Sequence, residues 1–351
     1  MPRVTIADIA KRAKVSTSAV SYALNNRPGV GAATRQEILA IAEEMGWRPN
    51  SAARSLQAAR AHAVGLVFQR SEDTSVESSS FMLRFLDGVQ SQLSEHDMVL
   101  VLRTVHDLEA EMAVHERWFA ESRVDGIIVV NPIVEDPRVP VLERTGLPAV
   151  IVGDTRAYSS LPAVWTDDAE AATLAVEHLV GLGHKRIARV GGMIDLLHTR
   201  IRRDAFAAAM AAAGLADDLS VDNATERDAD RVTRELLRAR RPPTAILYEG
   251  DTMAMSALST LRRMRIRVPG DISVVAWDDS PLCRLAYPPL SALRRDAFTY
   301  GQLVSEHLLA LLAGRKVSDR RGTVAEMVER DSTARAPARG RAKVSPSPHR
   351  R

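Results

Sequence analysis

The residues of this sequence that could take part in chemistry lie where predicted strands end. In open parallel sheets, ligands bind beyond the carboxyl ends of the strands, so polar residues there indicate a ligand site. These strand ends fall at Gln69 and Arg70, Asn131, Asp154, Gly191, Gly250 and Asp251, and Asp278. The set is unusually polar, and it predicts binding of a small molecule.

The patterns of common catalytic centres are missing from the sequence. There is no Gly-rich phosphate loop, no His/Cys cluster at metal-ligand spacing and no Gly-x-Ser-x-Gly elbow, and the nine histidines are scattered. We therefore expect a protein that is not an enzyme and that holds no metal and no cofactor. A sugar-active enzyme and a transport-type binding protein are the alternatives; the second would need a signal peptide.

The polar residues at the strand ends are positioned by a predicted alternation of strands and helices. Repeated βαβ units predict parallel sheets with helices on both faces. The predicted strands are Ala63–Phe68, Val99–Leu102, Gly126–Val130, Ala149–Val152, Ile187–Val190, Thr244–Tyr248 and Ile272–Trp277, with helices such as Phe81–Leu93, Ala169–Leu182, Arg202–Ala213 and Met253–Met264 between them. Two groups of strands predict an α/β body, 62–334, made of two doubly wound lobes with a cleft between them. We place lobe 1 at about 62–161 and 292–334, and lobe 2 at about 162–291.

A small all-α headpiece, 1–48, is predicted to precede this body. Thr5 and Asp8 have the spacing of a capping box, and apolar residues at helical spacing follow them. Ser16 can cap a second helix, Thr17 to Asn25, and a third runs from about Ala32 to Met45. The second helix would be polar but uncharged on its outer face, which suits a helix-turn-helix that enters a DNA major groove.

Charge is unevenly distributed along the chain. The net charge of +3 combines +5 in residues 1–60 with +6 in residues 335–351, which leaves −8 for the remainder. A basic headpiece indicates a polyanionic partner. The proline-rich basic tail, 335–351, is expected to be disordered. It either adds non-specific DNA affinity or is a plain solvated tail.

The compartment is indicated by three features. No run of apolar residues approaches a membrane span, Asp8 interrupts the N-terminal stretch, and Cys283 is the single cysteine. One cysteine cannot form an internal disulfide, which fits a reducing compartment. We expect a cytoplasmic protein with no membrane partner.

The sequence resembles the lactose-repressor and galactose-repressor (LacI/GalR) family of bacterial transcriptional regulators. The resemblance is carried by VTIADIA at 4–10, VSTSAVS at 15–21, Leu24-Asn25 and WRPN at 47–50. In the body it rests on VEHL at 176–179, LGHKRIA at 182–188, VPGDISV at 268–274 and WDD at 277–279. The family implies a sequence-specific DNA-binding repressor with a periplasmic-binding-protein-like effector domain.

The resemblance also implies which headpiece residues contact double-stranded DNA. Thr17, Ser18 and Tyr22 fall on positions that touch base edges. Phosphate contacts are expected from Thr5, Ser16, Ser21, Asn25 and Thr34. Lys14 departs from the Gly or Asn common in the turn, and a left-handed backbone there would cost it roughly 1 kcal/mol.

Residues 49–61 resemble the family's hinge helix and linker. Asn50, Ala53 and Leu56 belong to this segment, which is too short to be a stable helix alone. Two copies packed together over DNA could be stable, with each Leu56 inserted into a minor-groove step. A homodimer on a near-palindromic operator is therefore expected, with a tetramer as the alternative.

The predicted effector-binding set combines the resemblance with the strand ends. The family places Arg202, Asp278 and Trp165 at effector contacts, and we add Asp154, Gly250 and Phe81. Arg202 can donate to hydroxyls or a carboxylate, Asp278 can accept from hydroxyls, and Trp165 offers a flat face. The alternatives are an inter-lobe salt bridge for Arg202 and Asp278 and core packing for Trp165. A sugar or sugar derivative is the candidate effector.

Overall fold

The computed structural model describes residues 4–47, 60–70 and 80–337, and the chain divides into two compact units, Met1–Arg60 and Ala61–Arg351. The first unit contains three helices: α1 (Ile6–Ala13), α2 (Thr17–Leu24) and α3 (Ala32–Glu44). They surround a small core of Ile9, Ala10, Val20, Ala23, Ile38 and Ala42. The predicted helices are confirmed, although α2 and α3 each end one residue earlier than expected.

The predicted capping residues lie at the first residues of α1 and α2. Thr5 and Asp8 form a reciprocal capping box at α1, with Asp8 accepting from the Thr5 backbone N–H at 2.9 Å. Ser16 Oγ accepts from the Ala19 N–H at 3.1 Å and so caps α2. Lys14, in the turn between these helices, has φ 53° and ψ 40°. Lys14 therefore adopts the left-handed backbone that costs a residue with a side chain roughly 1 kcal/mol.

The second unit is built on two sheets, and the predicted two-lobed α/β body is confirmed. Sheet 1 has the order β10-β5-β4-β3-β1-β2 with every pair parallel, and sheet 2 has the order β11-β9-β8-β7-β6 with only β11 antiparallel. The strands are β1 Ala63–Gln69, β2 Val99–Val105, β3 Gly126–Val129, β4 Ala149–Val152, β5 Ala163–Trp165, β6 Ile187–Val190, β7 Ala245–Tyr248, β8 Ser273–Trp277, β9 Ser291–Arg294, β10 Arg320–Arg321 and β11 Glu326–Val328.

Helices cover both faces of each sheet. They are α4 Ser80–Ser94, α5 Leu108–Ala120, α6 Arg138–Thr145, α7 Asp168–Gly181, α8 Leu197–Ala212, α9 Ala229–Arg238, α10 Asp251–Arg263, α11 Pro281–Leu285 and α12 Ala297–Leu312. Each sheet has one apolar cluster on either face, as expected for doubly wound lobes. No helix in the described ranges is both long and apolar enough to cross a membrane.

The sheets divide the lobes differently from the sequence prediction. β5 (163–165) pairs with β4 and belongs to lobe 1, whereas β9 (291–294) pairs with β8 and belongs to lobe 2. The segment after α12 adds β10 to sheet 1 and then β11 to sheet 2. The placement of 326–334 in lobe 1 was therefore wrong, because the hydrogen bonds of β11 are made with β9. The chain crosses between the lobes at 166–167, 295–296 and 322–325.

Candidate functional site

One candidate surface is the outer face of α2 in the first unit. Thr17 and Ser18 are exposed, Ser21 is half-buried, and Tyr22 keeps 41% of its surface exposed. Val20 and Ala23 on the opposite face are buried in the three-helix core. The core thus holds a hydroxyl-rich, uncharged helix face outward, with donors and acceptors that suit base edges.

The predicted phosphate contacts also have structural roles. Thr5 Oγ1 donates to Asp8 at 2.7 Å, and the Asn25 amide donates to the Ser21 carbonyl at 2.8 Å. The Ser16 hydroxyl caps α2, and Thr34 is half-buried in the first turns of α3. Asn50, Ala53 and Leu56 lie outside the described residues.

The second candidate site is a cavity of about 310 Å³ in the second unit. It lies beyond the carboxyl ends of β1, β3 and β8, and both lobes contribute to its wall. Its aromatic wall comes from Phe68, Phe81, Phe85 and Tyr300. Its polar wall includes Gln69, Asn131, Asp168, His198, Arg202, Glu249, Asp278 and Arg295.

The structure brings half of the predicted effector set to this cavity. Arg202, Asp278 and Phe81 line it, whereas Trp165, Asp154 and Gly250 are not among the lining residues. Trp165 is buried with the guanidinium of Arg156 at 3.7 Å from its ring centroid. Asp154 pairs with the same Arg156 at 2.8 Å, and Gly250 is the N-cap of α10.

Arg202 and Asp278 do not pair with each other; each has its own buried partner. Arg202 Nε donates to Asp168 Oδ1 at 2.8 Å, and its guanidinium lies 4.1 Å from the Trp277 ring centroid. Arg295 donates to Asp278 Oδ1 from Nε at 3.1 Å and from Nη2 at 2.6 Å. Arg295 Nη1 also lies 3.6 Å from Asp168 Oδ1, which joins the two pairs into one network.

The network determines the protonation states in the cavity. Burial alone would raise the pKa of Asp168, but the charges of Arg202 and Arg295 outweigh it and hold this pKa below its usual value. Burial and then the Arg202 charge lower the pKa of His198 to about 3, so His198 is neutral near pH 7. Arg295 loses solvation on burial, yet Asp278 and Asp168 raise its pKa. The cavity therefore presents charged groups that are already paired.

A second buried pair lies behind Arg202. Arg189 is fully buried in β6 and donates from Nε to Glu249 Oε1 at 2.5 Å and from Nη1 to Asp222 Oδ1 at 2.7 Å. Glu249 Oε2 makes no hydrogen bond in the described part of the chain and lies 3.9 Å from Arg202 Nη1. Within the same ranges, no group of three His, Cys, Asp or Glu side chains could hold a metal ion.

Sequence reasoning missed Asp168, Arg295 and Glu249. Asp168 closely follows β5 and Arg295 directly follows β9, two short strands that were not predicted. Glu249 directly follows β7, whose end was placed at Gly250 and Asp251. The strand-end rule would have found Asp168 and Arg295 if β5 and β9 had been recognised, and Glu249 if the residue directly after β7 had been taken as its end.

The fold and these two sites define a helix-turn-helix DNA-binding unit followed by a two-lobed, periplasmic-binding-protein-like unit. A family model for bacterial regulatory proteins of the lacI family matches residues 5–50, and one for a periplasmic binding protein-like domain matches residues 176–333. The chain is 30% identical over 314 residues to the probable HTH-type transcriptional repressor ExuR of Bacillus subtilis (strain 168), covering 88% of this chain and 92% of that protein. It belongs to the lacI family and is a DNA-binding transcriptional regulator, not an enzyme.

Further similarity extends over nearly the whole chain. The HTH-type transcriptional regulator AglR of Rhizobium meliloti (strain 1021) is 30% identical over 349 residues, 96% of either chain. A solved complex of the transcriptional regulator CelR with cellobiose is 26% identical, with a TM-score of 0.70 over 94% of this chain and 100% of that one. The Lac repressor dimer bound to operator and the anti-inducer ONPF has a TM-score of 0.84 at 24% identity over 95% of this chain and 100% of that one, a likeness in fold.

Proposed function

We propose that this chain is a homodimeric, cytoplasmic repressor of a near-palindromic operator, whose DNA affinity changes when a sugar or sugar derivative binds between its lobes. The observation that carries the proposal is the inter-lobe cavity, which is lined by aromatic rings and by paired charges. Aromatic faces and fixed polar groups together suit a ring that carries hydroxyls.

DNA recognition is assigned to α2. Thr17, Ser18 and Tyr22 contact base edges, while Thr5, Ser16, Ser21, Asn25 and Thr34 position the headpiece on phosphates. Hydroxyl groups both donate and accept, so Thr17 and Ser18 discriminate less than a bidentate side chain would. Tyr22 adds a ring face for a thymine methyl group, and it is the main determinant of operator sequence.

The switch between DNA-bound and free states is assigned to the lobe arrangement. An effector changes operator affinity only if it binds one arrangement better than another. A hundredfold ratio of affinities corresponds to about 2.7 kcal/mol, enough for a transcriptional response. Asn50, Ala53 and Leu56 are the residues through which paired hinge segments would transmit the change to the minor groove.

Three measurements test this function. Full-length protein is used to select sequences from randomised DNA, and we expect a near-palindromic consensus with two half-sites. Sedimentation should give a dimer at micromolar concentration; a monomer both with and without the selected DNA would contradict the assembly. A thermal-shift screen of sugars then identifies the effector, since a ligand of the folded state raises the melting temperature.

A further inference from the structure

The amino-terminal edge of sheet 2 lies at the opposite end of the parallel strands from the cavity, and His184 joins its loops. This side chain is buried, and its Nδ1 lies 2.9 Å from Thr244 Oγ1, in the loop before β7. Its Nε2 lies 3.0 Å from Ser273 Oγ, at the start of β8, and 3.1 Å from the Ala334 carbonyl. Because His184 itself precedes β6, the loops that enter three strands and the last described segment meet at this edge.

This edge is strongly basic, although the rest of the second unit is acidic. We call it the basic edge and define it as residues 182–186, 213–220, 238–244, 262–272 and 331–337. It contains ten Arg or Lys against four Asp, a net charge of +6, whereas residues 61–334 together carry −8. A surface with an excess of one sign of charge attracts partners of the opposite sign.

Most cations of the basic edge have no acidic partner. Three are in ion pairs: Arg186 with Asp218, Arg263 with Asp230 and Arg267 with Asp271. The other seven are exposed, and within the described residues their side chains form no hydrogen bond or ion pair: Lys185, Arg238, Arg240, Arg241, Arg262, Arg265 and Arg335. Six of these seven are arginines, whose planar guanidinium groups fit the oxygens of a phosphate.

The last described residues bring further positive charge to the basic edge. The Ala336 N–H donates to the Leu182 carbonyl at 2.9 Å, which holds this segment beside the end of α7. Residues 338–351 follow directly, with five Arg or Lys and no Asp or Glu. Because they are joined to the chain at this edge, their charge adds to that of the edge.

The side chains of the basic edge also indicate which polyanion it binds. None of them is among the large apolar side chains that the described residues expose, so the aromatic and aliphatic anchors of protein interfaces are missing. Single-stranded nucleic acid stacks its bases on aromatic rings, and the basic edge contains no Phe, Tyr or Trp. Contacts with the phosphates of a duplex need cations alone.

From these observations we propose that the basic edge, together with residues 338–351, is a second DNA-binding surface, which binds the phosphate backbone of double-stranded DNA without reading its sequence. This surface is distinct from the sites of the proposed function, since operator recognition is assigned to α2 and effector binding to the cavity. A protein bound to its operator would then hold a second stretch of duplex at lobe 2.

Capture of a second duplex tests the proposal. An operator duplex obtained by selection is immobilised and saturated with full-length protein, and retention of a fluorescent duplex of unrelated sequence is measured at about 50 to 200 mM salt. We expect retention that falls steeply as the salt concentration rises, because phosphate contacts release counterions. No retention at the lowest salt concentration would overturn the proposal.

Two triple variants with the same loss of charge test where the second duplex binds. Each removes three exposed cations that form no ion pair with described residues. One combines Arg238→Gln, Arg240→Gln and Arg265→Gln at the basic edge, and the control combines Arg117→Gln, Arg315→Gln and Lys316→Gln in lobe 1. Both should still bind the immobilised operator.

The basic-edge variant should bind the second duplex about tenfold or more weakly, and its slope of log affinity against log salt should be smaller by about 2 to 3. The lobe 1 variant should change the affinity by less than about twofold. Equal effects of the two variants would mean that the attraction depends on net charge alone and would overturn the proposal.

Competition distinguishes DNA from an acidic protein partner. Unlabelled duplex DNA and polyglutamate are added at equal concentrations of negative charge, and we expect the DNA to displace the fluorescent duplex at the lower concentration. Displacement by polyglutamate at the lower concentration would assign the surface to an acidic polypeptide and overturn the proposal. A chain that ends at residue 337 keeps every described residue and should bind the second duplex about threefold or more weakly, because five cations are removed.

Discussion

Gly88 packs directly against the backbone carbonyl of Phe298: a Cβ atom added at Gly88 would overlap the carbonyl oxygen. The contact is reciprocated one helix turn further along, where a Cβ at Gly301 would overlap the carbonyl oxygen of Phe85. These two glycines let α4 and α12 approach backbone to backbone. Because α4 carries Phe81 and Phe85 and α12 carries Tyr300, the close approach assembles the aromatic wall of the cavity.

Substitution of these glycines should therefore damage both stability and effector binding. Gly88→Ala and Gly301→Ala should each lower the free energy of unfolding by roughly 1–3 kcal/mol, because backbone atoms cannot move aside cheaply. Gly181→Ala is the control, since nothing lies within 4 Å of its added Cβ, and it should be neutral or stabilising by up to about 1 kcal/mol. Urea unfolding measures the free energy of unfolding of each variant. A Gly88→Ala protein as stable as Gly181→Ala would show that the helices are not in close contact.

Replacement of Tyr22 should change which operator bases are preferred. The ring is exposed on α2, so Tyr22→Ala removes a base contact without opening the core. Lys11→Ala is the matched change at an exposed cation, and it should weaken binding about equally for all sequences and flatten the salt dependence. Selection from randomised DNA measures the consensus. An identical consensus for Tyr22→Ala and the unaltered chain would remove Tyr22 from base recognition.

Substitution of Leu56 should affect DNA binding, and substitution of Arg202 should affect the effector response. Leu56→Ala should weaken specific DNA binding by more than about 1 kcal/mol, through loss of the minor-groove contact, and leave effector affinity unchanged in the free protein. Arg202→Ala should abolish the effector response and leave DNA binding intact, because Arg202 lines the cavity. Fluorescence anisotropy on labelled operator, with and without effector, measures both.

Arg231→Ala is the control for Arg202, since Arg231 forms exposed ion pairs on α9 away from the cavity. Its effector response should match that of the unaltered chain. An Arg202→Ala protein that keeps the original concentration dependence would mean that the effector binds elsewhere.

Acid should destabilise the second unit through His115. This side chain in α5 is 1% exposed, neither ring nitrogen has a hydrogen-bond partner in the described residues, and Glu111, Arg138 and Asp136 surround it. Burial and then the Arg138 charge lower its pKa to about 4. Between about pH 4 and 6.5 the unfolded chain binds the extra proton, so stability falls as the pH falls through this range.

The size of the His115 effect is bounded by its pKa shift. At about 1.4 kcal/mol per pKa unit, a shift from 6.5 to about 4 limits the loss to about 3.5 kcal/mol. His115→Phe should remove this part of the acid sensitivity, while the part due to His198 remains. Urea unfolding at pH 7 and pH 5 measures the difference between the two proteins, and an unchanged pH dependence would contradict the assignment.

Much of the fold followed from patterns that one segment contains by itself. The capping box of α1, the Ser16 cap of α2, the apolar periodicity of α1 to α3 and the apolar strands could be recognised locally. β5 and β9 could not, because β5 has only three residues and β9, Ser291–Arg294, is polar at both ends. Asp168 and Arg295 were missed with them.

Trp165 was predicted to contact the effector and does not line the cavity, and this difference has another cause. Its position was predicted from family resemblance, but the guanidinium groups of Arg156 and Arg321 lie over its ring, and Arg321 is distant in sequence. The same is true of the Arg189–Glu249 pair, whose members are 60 residues apart and meet only because β6 and β7 are neighbours. Pairs of this kind form only when the strands lie side by side in the folded sheet, so one segment of sequence does not predict them.

The return of the chain to lobe 2 after residue 325 makes that lobe depend on the last described segment. Ser332 is fully buried and donates to the Val274 carbonyl, while His184 contacts the carbonyl of Ala334 at the amino-terminal edge of sheet 2. The last residue that lines the cavity is Tyr300. A chain shortened to end at residue 325 would therefore retain every described residue that lines the cavity and still lose β11, the edge strand of sheet 2. Sensitivity to C-terminal proteolysis would then report on the folding of lobe 2 and not on the cavity.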